Sequence, residues 1–167
     1  KMGRKISIDS ATMMNKVFEV IETKNIFSVS YNNIFVLIHP KSYIHAIVKF
    51  NDGTTQFLAH EPSMIIPIFN TLYNNENKKI KSKKLNINIL NNLKLKKIDK
   101  NIFPAINVLK HLPTKTSLFE TVLVSANDEL VNLFLNKKIN FHEISRNILR
   151  LMNMKEFQKY KKKKPKY

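Results

Sequence analysis

The sequence predicts an α+β fold: a short mixed sheet with a β-hairpin and flanking helices, then a basic linker, then a small C-terminal helical domain. Three observations carry that prediction. Met14, Val17, Phe18 and Ile21 recur at the spacing of one helix face. The apolar run Ile34-Phe35-Val36-Leu37-Ile38 and the segment 43–50 are of strand length and lead into Asn51-Asp52-Gly53, where glycine supplies the positive φ a hairpin turn needs. After Pro104 the helical period returns, with Phe141, Ile144, Ile148 and Leu151 on one face.

Taken in order, residues 5–9 (Lys-Ile-Ser-Ile-Asp) alternate polar and apolar, the period of a short half-buried strand. A helix follows, with Asp9 or Ser10 as its N-cap. Its apolar stripe faces a core, which leaves Thr12, Asn15, Lys16, Glu19 and Thr23 on the opposite side. Residues 28–33 are turn-rich. Strands are expected over 34–38, 43–50 and 54–59, and a helix over 64–73, with Pro67 early enough to be tolerated in its first turn. Residues 74–101 are rich in Lys and Asn and read as an exposed linker, in which Leu85, Ile87, Ile89, Leu90 and Leu93 lie along a surface as a strand or a helical stretch. Helices are expected over 105–112, 118–136 and 141–152. The domain reading is therefore 1–73, a linker at 74–101, a reduced helical bundle at 102–160 and a basic tail at 161–167.

A chain of 167 residues with 43% hydrophobic content holds one or two small cores and is not wholly disordered. No apolar run approaches the roughly 20 residues of a membrane span, so no membrane partner is expected. The absence of Cys excludes disulfides, zinc–thiolate sites and a thiol nucleophile. The formal charge of +17 is compatible with a polyanion partner, but Lys, Asn and Ile are abundant together throughout, as a compositional bias would also produce. A nucleic-acid-binding module built on the lysines of 78–84, 94–100 and 161–166 is the alternative reading, disfavoured because no stacking aromatics interleave with them. The first nine residues begin with Lys1 and contain no apolar signal region, so the start of the protein is expected upstream.

The chemistry concentrates between Asp9 and Glu19. On a helix, Asn15 and Glu19 are four apart and Lys16 and Glu19 three apart, so their side chains share a neighbourhood, with Ser10 at the amino end. A hydroxyl, an amide and an ammonium at a helix N-terminus are phosphate-binding groups. Glu19 beside them would suit a hard divalent cation such as Mg²⁺ or Mn²⁺. The plainer alternative is Ser10 as a cap and Lys16 and Glu19 as surface charges.

These residues also carry a resemblance. Met2-Gly3-Arg4-Lys5-Ile6, then Asp9-Ser10-Ala11-Thr12-Met13-Met14-Asn15-Lys16 and Glu19-Val20-Ile21-Glu22, resemble the 1-deoxy-D-xylulose 5-phosphate reductoisomerase family. Ile38-His39-Pro40-Lys41-Ser42-Tyr43-Ile44-His45 is similar to its His-Pro-Gln-Ser-x-x-His segment, and Asp52-Gly53 with Glu61-Pro62-Ser63-Met64 is similar to its Asp-Gly-Ser and Glu-Pro-Asp-Met stretches. Ser125-Ala126-Asn127-Asp128 is similar to the Asn-Ala-Ala-Asn-Glu helix of its C-terminal bundle.

The resemblance implies that the chain is a portion of an enzyme converting 1-deoxy-D-xylulose 5-phosphate to 2-C-methyl-D-erythritol 4-phosphate, by metal-dependent rearrangement and NADPH reduction, in non-mevalonate isoprenoid synthesis. By motif position, Ser10, Asn15 and Lys16 would hold the substrate phosphate, and Glu19 would ligate Mg²⁺ or Mn²⁺ and approach the substrate oxygens, which makes Lys16 and Glu19 the candidate catalytic pair. Met64 would line the substrate site, and the backbone of Gly3 would approach NADPH; His45 is placed with the substrate-binding residues, the alternative being a hydrogen-bonded structural histidine on its strand. His39 reads in the same way as a structural histidine, and His60, His111 and His142 show no ligand spacing and receive no role.

The departures matter as well. With glycine only at positions 3 and 53, the Gly-rich turn of the family's NADPH-binding Rossmann domain cannot be formed here, and the family's Asp-x-Glu metal pair is absent. His60 and Ser63 replace a Gly and an Asp of the family pattern. The expected partners are thus a phosphorylated sugar, the upstream Rossmann and catalytic half of the same enzyme, and a second copy in a homodimer, and the chain alone is expected to be inactive. A catalytically silent relative is a further alternative. Family members work in the bacterial cytoplasm or in plastids.

Overall fold

The computed structural model describes residues 3–73 and 78–165. Residues 1–2, 74–77 and 166–167 lie outside the described residues, and with them Met2 of the opening motif, the start of the expected linker and the end of the expected tail. The fold is α+β, with several helices and short sheets. It divides into two compact units, one formed by Lys1–Val36 with Ile98–Tyr167 and the other by Leu37–Lys97.

The first unit opens with two helices, α1 (Arg4–Thr12) and α2 (Met14–Phe27). The expected strand over 5–9 is therefore wrong. In a strand Ile6 and Ile8 would share a face, whereas here Ile6 is 54% exposed and Ile8 is buried. The buried side of α1 is Ile8, Asp9 and Thr12, a helical spacing, and the Lys5 ammonium meets Asp9 one turn on at 2.7 Å. Neither Asp9 nor Ser10 is an N-cap. Both lie inside α1, and the helices are separated by Met13, which stands at φ 65 in the left-handed region. Thr12, expected on the exposed side, is 3% exposed and belongs to that joint. The apolar stripe of α2 is as expected, with Met14, Val17 and Ile21 buried.

The rest of this unit is helical. A 3-10 turn at Tyr31–Asn33 follows α2, and after Ile98 a 3-10 helix runs over Pro104–His111. Then come the long helices expected from the apolar period. The first of these, running from Leu118 to Leu135, starts at a capping box in which the Ser117 hydroxyl accepts from Phe119 N and Glu120 reaches back to Ser117 N. The second, from Phe141 to Asn153, starts at a matching box formed by Asn140 and Glu143. Phe119, Leu123, Ile144, Ile148 and Met152 close the core against Met14, Val17 and Val108. A last helical turn at Lys155–Gln158 adds Phe157, edge-on to Phe119 at 5.1 Å between ring centroids.

The second unit contains two antiparallel ladders. The first pairs β1 (Leu37–Ile38) with Lys96–Lys97, and the second pairs β2 (Ile44–Lys49) with β3 (Thr55–Ala59). The hairpin turn falls where Asn51-Asp52-Gly53 predicts it, with Gly53 at φ 89. The strand expected over 34–38 shrinks to two residues, because Phe35 is 81% exposed and only Leu37 and Ile38 find a ladder partner. Helix α3 (Ile65–Leu72) matches the expected helix, and α4 (Ile87–Asn91) resolves the strand-or-helix alternative for that stretch as a helix. In chain order, the helices Leu118–Leu135 and Phe141–Asn153 of the first unit are then α5 and α6.

Candidate functional site

Three of the residues singled out from sequence are in contact on the exposed side of α2. The Lys16 ammonium lies 2.7 and 2.8 Å from the two Glu19 carboxylate oxygens, and the Asn15 amide donates to the nearer one at 3.4 Å. The Lys16 and Glu19 side chains are 38% and 53% exposed, so both charges remain in reach of solvent and of a ligand. Asn15 Oδ1 is buried with no hydrogen-bond partner among the described residues. Ser10 stands across the Met13 break, in the last turn of α1, and is half-buried.

The break itself is stitched by Thr12. Its Oγ1 lies 3.0 Å from the Ile8 carbonyl and 3.2 Å from the Asp9 carbonyl, and accepts from the Met14 N–H at 3.4 Å. One side chain thus serves the end of α1 and the start of α2 together. Because α2 begins at the break, its positive dipole end lies beside Asn15 and Lys16, which favours an anion there.

Behind the break is a polar link that sequence reasoning missed. The Asp9 carboxylate, on a residue only 4% exposed, accepts from the Asn127 amide at 2.8 Å and from Lys5 at 2.7 Å, and Lys5 also meets Asp128 at 3.0 Å. Burial alone would lower the Lys5 pKa, but the hydrogen bonds and charges of Asp9 and Asp128 prevail and raise it, so the ammonium form is reinforced. The Lys5 and Asp9 pairing at four residues was visible in sequence as a helix signature; the Asn127 contact, 118 residues away, was not.

The remaining candidates have separate settings. His45 lies on β2 in the second unit, its ring stacked on His60 at 3.6 Å between centroids, with Nε2 3.2 Å from the His60 carbonyl oxygen. His39 accepts the Tyr43 and Ile44 N–H groups on Nδ1, a turn-forming role. Met64 precedes α3 and is 71% exposed. Gly3 stands before α1 at φ −63, and an added Cβ would meet nothing within 4 Å, so neither backbone strain nor packing in this chain requires glycine there.

For a divalent cation, the donor set is small. Among the described residues no group of three or more His, Cys, Asp or Glu side chains could hold a metal. A six-coordinate cation cannot be held tightly by the Glu19 carboxylate alone, so these residues do not make a metal site by themselves. Glu19 fits only as one ligand of a centre completed by other residues.

Comparison with known proteins points to one family. A family model described as the DXP reductoisomerase C-terminal domain matches residues 60–166, and one described as the 1-deoxy-D-xylulose 5-phosphate reductoisomerase C-terminal domain matches residues 1–27. The 1-deoxy-D-xylulose 5-phosphate reductoisomerase of Pelagibacter ubique is 58% identical over 98% of this chain, which spans 42% of that protein. That of Persephonella marina is 40% identical over 95% of the chain, which spans 43% of it. The apicoplastic enzyme of Plasmodium falciparum is 39% identical over 95% of the chain, which spans 33% of it.

Among solved structures, the Zymomonas mobilis reductoisomerase in complex with NADPH superposes with a TM-score of 0.80 at 30% identity, covering 98% of this chain and 42% of that one. A DOX-P reductoisomerase with fosmidomycin and magnesium gives 0.82 at 32% identity, covering 95% of this chain and 39% of that one. The chain therefore belongs to the 1-deoxy-D-xylulose 5-phosphate reductoisomerase family, to whose C-terminal region it corresponds.

Proposed function

We propose that this chain supplies the phosphate grip and one metal ligand of a 1-deoxy-D-xylulose 5-phosphate reductoisomerase, which rearranges its sugar phosphate substrate and reduces it with NADPH to 2-C-methyl-D-erythritol 4-phosphate. The observation that supports this best is the convergence of Asn15, Lys16 and Glu19 at the start of α2, exposed and mutually within hydrogen-bond range. Lys16 and the Asn15 amide bind phosphate oxygens, with Ser10 adding a hydroxyl that has no side-chain hydrogen bond among the described residues. Binding would require Lys16 to turn from Glu19 toward the phosphate, and an exposed pair with so little net attraction can do that. Glu19, relieved of its lysine, is then free to act as one ligand of Mg²⁺ or Mn²⁺. When bound, that cation would polarise the substrate's carbonyl and hydroxyl oxygens.

His45 and Met64 are proposed as substrate-lining residues, and Gly3 as the point where NADPH approaches the backbone. That approach is supported by the open space around Gly3. The other ligands and most of the nucleotide site would come from the portion of the enzyme beyond the 42% that this chain spans in its Pelagibacter relative. The domain boundaries at 73, 101 and 160, homodimer formation and a bacterial-type cytoplasmic or plastid setting belong to the same proposal. No helix among the described residues is long and apolar enough to cross a membrane.

The test is assembly with the preceding portion of a family enzyme. NADPH oxidation dependent on deoxyxylulose phosphate and Mg²⁺, lowered at least about a hundredfold by Lys16→Ala or Glu19→Gln, supports the reading, since each change removes a charged group at the reacting substrate. An assembled enzyme without that activity, or one indifferent to both substitutions, overturns it.

A further inference from the structure

Ser10 lies on one helix and Asn15 and Lys16 on another, so what sets their spacing is the joint at Met13 rather than a helical repeat. A methionine has no preference for φ 65, and a residue with a Cβ is held there only when its surroundings impose it. Two buried side chains brace the segments that meet there. Thr12 bonds to the carbonyls of Ile8 and Asp9 on one side of the joint and to the Met14 N–H on the other. Asn127, fully buried on α5, donates to the carboxylate of Asp9, the residue before Ser10, and fixes the last turn of α1 against the helical core. Its Oδ1 is buried with no partner among the described residues, so the site carries an unpaired polar atom while its amide holds Asp9.

We infer that Thr12 and Asn127 are positioning residues for phosphate binding: they hold the joint between α1 and α2, and through it the spacing of Ser10 from Asn15 and Lys16, without themselves meeting the phosphate. This rests on the phosphate site proposed for Ser10, Asn15 and Lys16. Thr12→Val keeps the branched shape and removes the three hydroxyl bonds at the joint, Thr12→Ser keeps the hydroxyl, and Asn127→Leu removes the amide at similar size.

In the assembled enzyme, KM for deoxyxylulose phosphate and the inhibition constant of inorganic phosphate are measured together, with KM for NADPH as the internal comparison. Thr12→Val and Asn127→Leu are expected to raise the first two in parallel by about five- to tenfold, the scale of one lost hydrogen bond. KM for NADPH should stay in place and Thr12→Ser should restore the original values. Should Thr12→Val not accumulate in folded form, Asn127→Leu carries the same comparison. A uniform change in all three constants, or values for Thr12→Val and Asn127→Leu equal to the parent while Lys16→Ala raises KM, overturns this inference alone. If Lys16→Ala leaves KM and phosphate inhibition unchanged, the phosphate site itself is overturned and the inference with it.

Discussion

Asn127 donates its side-chain amide to the buried carboxylate of Asp9 at 2.8 Å, joining residues 118 apart in sequence. Among the described residues Asp9 has one other side-chain partner, the half-exposed Lys5 at 2.7 Å. Asn127→Ala would leave one carboxylate oxygen buried with no donor and open a small void beside it. A hydrogen bond to a charged group contributes about 1.5–3 kcal/mol, so urea unfolding of the chain should show a loss of that size. A loss under about 0.5 kcal/mol would mean that water replaces the amide at no cost.

The Lys16–Glu19 pair should behave differently. At 38% and 53% side-chain exposure it falls among surface ion pairs, which contribute about 0–1 kcal/mol. Lys16→Ala and Glu19→Gln are expected to leave the thermal midpoint nearly unchanged while removing activity from the assembled enzyme. A large drop in midpoint with either substitution would place the pair in the architecture rather than in ligand binding.

Tyr31 predicts an alkaline effect. Burial, reinforced by the negative charge of Glu120, pushes its phenol up from 10.0 to about 12. The folded state therefore holds the proton more tightly than the unfolded state, so this contribution to stability is present below about pH 10 and is lost as pH rises toward 12. Above pH 10 the parent chain should lose stability relative to Tyr31→Phe, whereas the difference between them is constant at lower pH. Because the Tyr31 hydroxyl is buried without a partner among the described residues, the Phe variant should be no less stable near neutrality. Parallel stability curves for the two chains from pH 8 to 12 would contradict the assignment.

The legible parts of the sequence were those governed by local rules. The 3.6-residue period of the helices at Leu118–Leu135 and Phe141–Asn153 and the Asn51-Asp52-Gly53 turn each declare themselves within a few residues, and each element stands where expected. The capping boxes at Ser117 and Asn140 are equally local but were not read from the sequence. Residues 5–9 failed because Ile6 and Ile8 alternate as in a strand, and two apolar residues cannot outweigh the Lys5–Asp9 helical pair and the burial of Ile8, Asp9 and Thr12. The left-handed Met13 could not be foreseen, since nothing in methionine favours φ 65. In the candidate site, the cluster of Asn15, Lys16 and Glu19 was legible from helical spacing. The frame behind it was not, because Asp9 looked like a cap and its partner lies on α5.

The two glycines should separate a folding requirement from a functional one. Gly53 stands at φ 89, where an L side chain is strained even though the space beside it is open. Gly53→Ala is expected to destabilise the hairpin by about 1 kcal/mol, as is usual when a Cβ is forced into positive φ. Gly3 stands at φ −63, with nothing within 4 Å of an added Cβ, so Gly3→Ala should leave the chain's stability unchanged or slightly improved through a less flexible unfolded state. If the backbone at Gly3 is where NADPH approaches, the same methyl group will obstruct the cofactor. The assembled Gly3→Ala enzyme should then show a raised KM for NADPH, with KM for the sugar phosphate held near the parent value. Equal NADPH constants for parent and variant would remove Gly3 from the cofactor site and leave its glycine without a structural or a functional reason.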